Sequence, residues 1–249
     1  PAYCNPSAHS TKTVVVQIAP AVRVAIGEEF NLPPGQSSMG QLVTALRTMG
    51  VSKVFDTSFA ADITVIEETK EFIERVQSGQ NIPQFTSCCP AWVKYAEQFY
   101  PEYLDNLSSC RSPQQMLGSL VKKHYSKELG IPAQDLFMIS IMPCTAKKFE
   151  AQRDEFTTDG APDVDLVITT QELARMIKEA GIDYPSLEET PLDQPFGFVT
   201  GAGIIFGVTG GVSEAVLRQA YDILTEQELK DVVFSDVRGY EGLRSCEIV

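Results

Sequence analysis

Two apolar stretches dominate the pattern of hydrophobic and polar positions, at residues 13–19 (TVVVQIA) and 136–142 (LFMISIM). Runs of this length that are rich in apolar and β-branched side chains are typical of strands buried on both faces of a parallel sheet. Shorter runs at residues 54–56, 165–169 and 232–237 predict three further strands. The pattern therefore predicts a largely buried sheet.

Segments with the helical spacing of apolar residues lie between these runs. Their ends carry residues that start or stop helices, such as Ser38 before the first and Gly79 after the second. Strands that alternate with helices predict an α/β fold. The predicted helices cover residues 38–47, 61–77, 91–100, 113–129 and 171–179, and a last helix ends near residue 224.

Composition narrows the class of protein. The 249 residues are 43% hydrophobic and 21% charged, as in ordinary globular proteins, and the net charge is −13. This acidic balance disfavours nucleic-acid binding, which needs a basic surface. The sequence shows neither an apolar stretch long enough to span a bilayer nor a signal peptide. Residues 1–12 are polar and turn-rich, which predicts a linker or the end of an upstream segment.

Cysteines are the first candidates for chemistry. A chain of this length does not need disulfides for stability, and adjacent cysteines do not suit a disulfide framework. Metal or redox use in a reducing compartment is therefore the better interpretation. The six cysteines are Cys4, Cys88, Cys89, Cys110, Cys144 and Cys246.

The pair Cys88 and Cys89 follows an apolar segment that ends at Phe85 and indicates a strand, and Pro90 is suited to open a helix. Neighbouring side chains at a strand end point in opposite directions, so the two thiols are unsuited to one shared role. The pattern indicates one thiol for a metal and one for another task. A pair of small buried hydrophobic residues is an equally open interpretation of this stretch alone.

Cys144 follows the second long apolar run and, like Cys89, lies directly beside a proline. The two thiols are 55 residues apart, in strand–helix units that are able to converge at one end of a sheet. Thiolates are soft ligands suited to iron–sulfur clusters, zinc or copper(I). Two ligands do not complete a four-thiolate site, and the sequence lacks the paired C-x-x-C spacings of zinc sites.

Two segments carry a resemblance to a known family. Residues 86–92 (TSCCPAW) resemble the first signature of the [FeFe]-hydrogenases, T-S-C-C-P-x-W. Residues 142–150 (MPCTAKKFE) resemble the second, M-P-C-x-x-K-x-x-E, and both match at every fixed position. The glycine-rich run at residues 200–211 is also similar to the family. The resemblance implies two lobes of twisted, mostly parallel sheet flanked by helices, with a boundary near residues 130–135 and the active site in the cleft between them.

The resemblance implies that the cofactor is the H-cluster, a [4Fe-4S] cubane bridged to a di-iron unit with carbon monoxide, cyanide and an amine-containing dithiolate. It implies that Cys89 and Cys144 ligate the cubane. Cys88 would carry protons to and from the amine, and Lys147 would donate hydrogen bonds to a cyanide. The residues implied to line the di-iron pocket are Pro20, Ala21, Met142 and Phe206.

A proton path is also implied, from Cys88 through Glu68 and Ser108 to Glu71 near the surface. Glu68 and Glu71 lie three residues apart on the predicted helix and so share one face. Carboxyl, hydroxyl and thiol groups are able both to accept and to release protons. Arg75 would hold the outer end of the path.

The chain departs from the family at its third signature, which supplies two further cysteines as C-x-x-x-C among glycines. Only Cys246 follows Cys144, and we interpret Cys4, Cys110 and Cys246 as non-ligands. Three explanations stay open: the remainder lies in another chain or a continuation, the chain is a fragment, or the protein is a naturally truncated relative.

The sequence thus predicts the catalytic-domain portion of an [FeFe]-hydrogenase, which reversibly reduces protons to H2, with the 249 residues inactive by themselves. The implied partners are H2, protons and a ferredoxin-like or other iron–sulfur electron carrier, with a second chain as one source of the missing cysteines. A cytoplasmic location is expected, with the periplasm also open. The alternatives are an iron–sulfur relative in cluster assembly or H2 sensing, and an interaction domain without a cluster. The lysines considered for a carrier-binding patch are Lys122, Lys123, Lys147 and Lys148.

Overall fold

The computed structural model describes residues 12–229 and 232–248. Residues 1–11, which hold most of the predicted linker and Cys4, lie outside the described residues. Within the described ranges, every helix is too short or too polar to cross a membrane.

A parallel sheet of four strands lies at the centre of the fold. The strands, in chain order, are β1 (Thr13–Ile18), β2 (Lys53–Asp56), β3 (Leu136–Met142), β4 (Thr157–Thr158), β5 (Ala161–Pro162), β6 (Leu166–Thr169), β7 (Ser235–Asp236) and β8 (Arg244–Ser245). The central sheet has the order β2-β1-β3-β6, while β4 with β5 and β7 with β8 form short antiparallel ladders.

Helices fill the connections between the strands, as the apolar periodicity predicts. In chain order they are α1 (Val22–Ala25), α2 (Met39–Thr48), α3 (Ser58–Ser78), α4 (Pro90–Phe99), α5 (Pro113–Leu120), α6 (Ser126–Leu129), α7 (Ala146–Glu150), α8 (Thr170–Glu179), α9 (Gly201–Ile205) and α10 (Gly211–Thr225). A π-helical turn at Val121–Tyr125 joins α5 to α6, so the single helix predicted at residues 113–129 has three parts.

The inner strands are covered on both faces. Side chains alternate between the two faces of a strand, and residues 15–18 of β1 are all buried. Burial on both faces is what the continuous apolar runs predict for a parallel sheet. The α/β class, the parallel strands and the flanking helices are therefore confirmed.

Strands from both sides of residues 130–135, where the boundary between two lobes is predicted, lie in the same sheet. The pairing of β1 with β3 runs from Thr13 opposite Leu136 to Ile18 opposite Ile141. Apolar runs mark where strands lie but not which strands pair. The sequence pattern therefore missed this neighbour relation.

Two predicted strands are also different in the structure. The segment before Cys88 is extended but makes only one bridge, between Phe85 and Leu107. Pro83 within it has no amide hydrogen to donate to a ladder, which disfavours a regular strand there. The strand expected at residues 232–237 is reduced to Ser235–Asp236, where the side chains are exposed.

Lys122 is fully buried, so it is not part of a surface patch. Its ammonium donates to Asp165 at 2.7 Å and to the carbonyl of Leu136 at 2.6 Å. The same Asp165 oxygen accepts the amide of Met138 at 2.7 Å. The ion pair of Lys122 and Asp165 therefore joins the π-helical turn to the start of β3. Each charge stabilises the other, because burial removes both from water.

Replacing Asp165 by asparagine should destabilise the chain by about 3 kcal/mol, because it leaves the ammonium of Lys122 buried without a counter-charge. The measurement is urea unfolding at pH 7. Glu67→Gln is the matched control, since the Glu67–Lys70 pair is exposed and should contribute less than about 1 kcal/mol. Equal effects of the two substitutions would contradict this account.

Candidate active site

The carboxyl ends of β1 and β3 meet at one edge of the sheet. The amide of Ala19, just past β1, donates to the carbonyl of Ile141 at 3.0 Å. Pro20 and Ala21 follow β1 at this edge, and the buried Met142 ends β3 two residues before Cys144. Ligands of open α/β sheets bind outside the carboxyl ends of the strands. The edge therefore brings together four of the predicted site residues, Pro20, Ala21, Met142 and Cys144.

The segment that carries Cys88 and Cys89 is held against the loop that precedes α5. The amide of Phe85 donates to the carbonyl of Asn106 at 2.8 Å, and the Ser87 hydroxyl donates to the carbonyl of Cys110 at 2.9 Å. Cys89 is exposed, directly before Pro90 at the start of α4. These contacts fix the cysteine pair although the segment is not a regular strand.

Lys147 joins the two signature segments. Its ammonium donates to the carbonyl of Cys88 at 2.8 Å and pairs with the Glu150 carboxylate at 3.1 Å. Glu150 is buried. It also accepts from the Ser112 hydroxyl at 2.9 Å and from the side-chain amide of Gln114 at 3.0 Å. A buried carboxylate with this many donors holds the lysine in one place.

The Cys88 thiol is half-buried between charged groups. Burial raises its pKa to about 11, although the nearby Lys147 ammonium acts in the opposite direction, and Glu68 and Cys89 add to the increase. At neutral pH the thiol is therefore protonated. It lies within electrostatic reach of the first carboxyl group of the predicted proton path.

Glu71, Ser108 and Arg75 form a hydrogen-bonded group on the outer side of α3. The Ser108 hydroxyl donates to Glu71 Oε2 at 2.7 Å, and Arg75 donates to Oε1 at 2.7 Å. The amide of Ser109 donates to both oxygens, at 3.0 and 3.1 Å. Burial would raise the pKa of Glu71, but the hydrogen bonds from Ser108, Ser109 and Arg75 outweigh it and lower that pKa.

Glu68 lies one helical turn further in and is only 2% exposed. Burial raises its pKa to about 7; the Ser108 hydroxyl lowers it, while the charge of Glu71 raises it further. Within the described part of the chain, Glu68 Oε1 has no hydrogen-bond partner. The two carboxyl groups that the sequence placed on one helix face thus differ in pKa, and Ser108 interacts with both.

Phe206 lies half-buried at the end of α9, and Asp62 of α3 anchors that helix. The Asp62 carboxylate accepts from the amide of Thr200 at 2.8 Å and from the amide of Gly203 at 2.6 Å. A Cβ atom at Gly203 would lie 2.6 Å from the carbonyl oxygen of Ser58, so only glycine permits this approach. A Cβ atom on the next glycine after Phe206, Gly207, would lie 3.6 Å from Pro20.

The structure thus brings Pro20 close to the Phe206–Gly207 turn and links Cys88 to Lys147 and Glu68. The helices that follow Cys89 and Cys144, α4 and α7, pack on each other. Two cysteines lie apart from these positions. The Cys110 thiol faces Glu71 at 3.8 Å, and Cys246 follows the exposed β8 ladder.

A family model described as "Iron only hydrogenase large subunit, C-terminal domain" matches residues 12–249. The chain belongs to this family. The resemblance of the two signature segments is thereby confirmed.

Known relatives of this iron-only hydrogenase domain are longer than the chain. The NADP-reducing hydrogenase subunit HndD of Solidesulfovibrio fructosivorans is 48% identical over 247 residues, which are 97% of this chain and 42% of HndD. The solved apo [FeFe]-hydrogenase HydA1 from Chlamydomonas reinhardtii superposes with a TM-score of 0.87 at 45% identity, covering 98% of this chain and 62% of that one. The chain spans about half the length of these relatives.

A relative named as a cluster-assembly factor also matches the chain. The cytosolic Fe-S cluster assembly factor narfl of Xenopus tropicalis is 34% identical over 244 residues, which are 94% of this chain and 51% of that protein. The family therefore includes both hydrogenases and a cluster-assembly factor.

The side chains present fit part of an iron–sulfur cofactor. Cys89 and Cys144 are free thiols, the donors that a cubane requires, but a cubane needs four of them. In residues 12–229 and 232–248 no three or more side chains of the metal-binding types are grouped around one position. Gln114 is buried beside Lys147, and its Oε1 has no partner among the described residues, so it is free to contact a further polar group.

Gln114 and Glu150 are the site residues that the sequence reasoning did not identify. Glu150 belongs to the second signature, but the residue pattern does not show that it pairs with Lys147. Gln114 directly follows Pro113 at the start of α5, where a polar side chain is usually exposed. The only hint in the sequence that Gln114 belongs to the site is its position close to the start of a capped helix.

Glu68 should make the chain less stable as the pH rises. Its folded pKa of about 7 lies above the ordinary 4.5, so between these values the folded form keeps a proton that the unfolded chain has released. Glutamine at this position does not titrate. Between pH 4 and pH 8 the free energy of unfolding of Glu68→Gln should therefore rise by about 3 kcal/mol relative to that of the unaltered chain. Urea unfolding at a series of pH values measures it. Parallel pH profiles for the two proteins would refute the raised pKa.

Proposed function

We propose that the chain is the larger part of the catalytic domain of an [FeFe]-hydrogenase, which reversibly reduces protons to H2 at an H-cluster. The observation that carries this proposal is the grouping of proton-carrying side chains beside Lys147. The Ser108 hydroxyl donates to Glu71, both act on the pKa of Glu68, and Glu68 and Lys147 act on the pKa of the half-buried Cys88. A cluster that is only structural needs neither a group of proton carriers nor a half-buried ammonium beside it. The matching hydrogenases support the proposal at the level of the family.

In this proposal Cys89 and Cys144 hold the cubane, and Lys147 holds the di-iron unit. When bound, the cluster would supply the redox chemistry, because its iron is where two protons and two electrons interconvert with H2. Pro20, Ala21, Met142 and Phe206 line the pocket and exclude water. The remaining cubane thiolate and the bridging cysteine would come from outside the 249 residues.

The chain's own residues move the proton. In the direction of H2 formation, Glu71 takes a proton from solvent and then donates it to Ser108 Oγ. The Ser108 hydroxyl turns away from Glu71 and releases its own proton to Glu68. Glu68 then hands the proton to Cys88 Sγ as that thiol gives its proton to the cofactor. Because the pKa of Glu71 is lowered and that of Glu68 is about 7, the proton is more stable on the inner carboxyl group.

Electrons need a separate partner. We propose a ferredoxin-like or other iron–sulfur carrier, in a cytoplasmic setting that keeps Cys89 and Cys144 reduced. Lys148 pairs with Glu172 at the surface and Lys123 is exposed, whereas Lys122 and Lys147 are engaged inside the protein. Of the four lysines considered for carrier binding, two are therefore accessible.

A role in iron–sulfur cluster assembly is the alternative, favoured by the match to the Xenopus tropicalis factor. Infrared spectroscopy of the complete, fully matured protein separates the two functions. The hydrogenase should show bands of metal-bound carbon monoxide and cyanide together with H2 turnover. Absence of these bands after full maturation would reject the hydrogenase proposal and favour assembly.

The 249 residues alone should evolve no H2 after reconstitution with iron, sulfide and the synthetic di-iron complex, because they supply two of the required cysteines. Gas chromatography of the headspace measures the product. Sustained turnover by the isolated chain would show that the ligand assignment is wrong.

Cys88→Ala in the complete matured protein should lower H2 evolution by about 100-fold or more, since a positioned acid–base group contributes at least that much. Its infrared bands should remain, because Cys88 is not a ligand in this proposal. Cys246→Ala is the control and should keep full turnover. Loss of the bands in Cys88→Ala would instead assign this cysteine to the cluster.

A further inference from the structure

Cys110 lies at the outer end of the proposed proton path, in the loop between Leu107 and α5. It is half-buried and lines a cavity of about 230 Å³ together with Ser108 and Ser109. The sequence predicts that Cys110 is not a metal ligand and assigns it no other role.

Three contacts connect Cys110 to residues of the path. Its carbonyl accepts from the Ser87 hydroxyl at 2.9 Å, next to Cys88. Its amide donates to Ser108 Oγ at 3.2 Å. Its thiol donates to Glu71 Oε2 at 3.8 Å, within the range of hydrogen bonds to sulfur. One residue thus touches the inner segment, the hydroxyl and the outer carboxylate.

We propose that Cys110 is a positioning residue of the proton path, whose thiol orients the Glu71 carboxylate towards the Ser108 hydroxyl. The role of Cys110 in catalysis rests on the proposed function. The orientation of Glu71 by Cys110 does not, because it is present in the chain without a cofactor.

The hydrogen bonds explain how the orientation is set. The Cys110 amide occupies a lone pair of Ser108 Oγ, which leaves the hydroxyl proton directed at Glu71 Oε2, 2.7 Å away. The thiol donates to the same carboxylate oxygen. Arg75 holds the other oxygen, so the carboxylate is fixed at both ends.

The thiol remains a donor at neutral pH. Burial raises the pKa of Cys110 to about 11; Ser108 lowers it, whereas the charges of Glu71 and Glu68 raise it further. A protonated thiol donates weakly but without adding a charge beside the path. The groups that act on Glu71 are Arg75 and Glu68 from α3, with Ser108, Ser109 and Cys110 from the loop.

The test compares Cys110→Ala, Cys110→Ser and the control Cys246→Ala in the purified chain. Amide hydrogen exchange of Ser109, which donates to Glu71, should become about twofold to tenfold faster in Cys110→Ala, the effect of losing one net hydrogen bond. Serine restores a donor, so Cys110→Ser should return the rate towards that of the unaltered chain. Cys246→Ala should leave the rate unchanged.

Carbon-13 NMR of the Glu71 carboxyl group gives a second readout. Its pKa should rise in Cys110→Ala, because a donor to the ionised form is lost, and should fall back in Cys110→Ser. Unchanged Ser109 exchange and an unchanged Glu71 titration in Cys110→Ala would overturn the proposal, as would equal effects of alanine and serine.

The matured protein links this geometry to function. There, Cys110→Ala should lower H2 evolution at high pH, where protons are scarce, more than at low pH. If no H-cluster forms but Ser109 exchange still responds as expected, the proposed function fails while the positioning role of Cys110 stands. An unchanged pH profile in an active enzyme would limit Cys110 to a structural contact and overturn the proposal.

Discussion

The hydrogen bond from the Lys147 ammonium to the carbonyl of Cys88 is the interaction on which the candidate site depends. It joins two segments that lie 59 residues apart in the chain, one before α4 and the other in α7. A half-buried ammonium is stable only with a counter-charge, and the buried Glu150 provides it. Ser112 and Gln114 saturate that carboxylate, so the position of the cysteine pair depends on a network of four side chains.

The same network continues into the sheet. The backbone carbonyl of Gln114 accepts from Gln17 of β1 at 3.0 Å, and Gln17 also donates to Ser140 of β3 at 2.7 Å. The Thr57 hydroxyl donates to the side-chain oxygen of Gln17 at 3.1 Å. Buried hydrogen bonds of this kind make a core rigid, and a rigid support is what precise placement of a reactive site requires. The polar residues within the two inner strands therefore connect the core to the candidate active site.

Much of the fold followed from the sequence because local rules determine it. The runs that became β1 and β3 are too apolar to be anything but buried, and Pro90 marks a helix start through its own chemistry. The shared helix face of Glu68 and Glu71 follows from spacing alone. The sequence did not reveal that β1 and β3 are neighbours, that Lys122 is buried, or that the segment before Cys88 is not a strand.

By itself, then, the sequence determined the class of fold, the two signature segments and the residue types available for proton transfer, since these depend on patterns within a few residues. Only the tertiary structure decided that Lys147 meets Cys88, that Cys110 faces Glu71 and that the pKa of Glu68 rises to about 7. The physical reason is that burial and long-range contact set the charge state and orientation of a side chain. Neither of these is encoded in the spacing of residues along one segment.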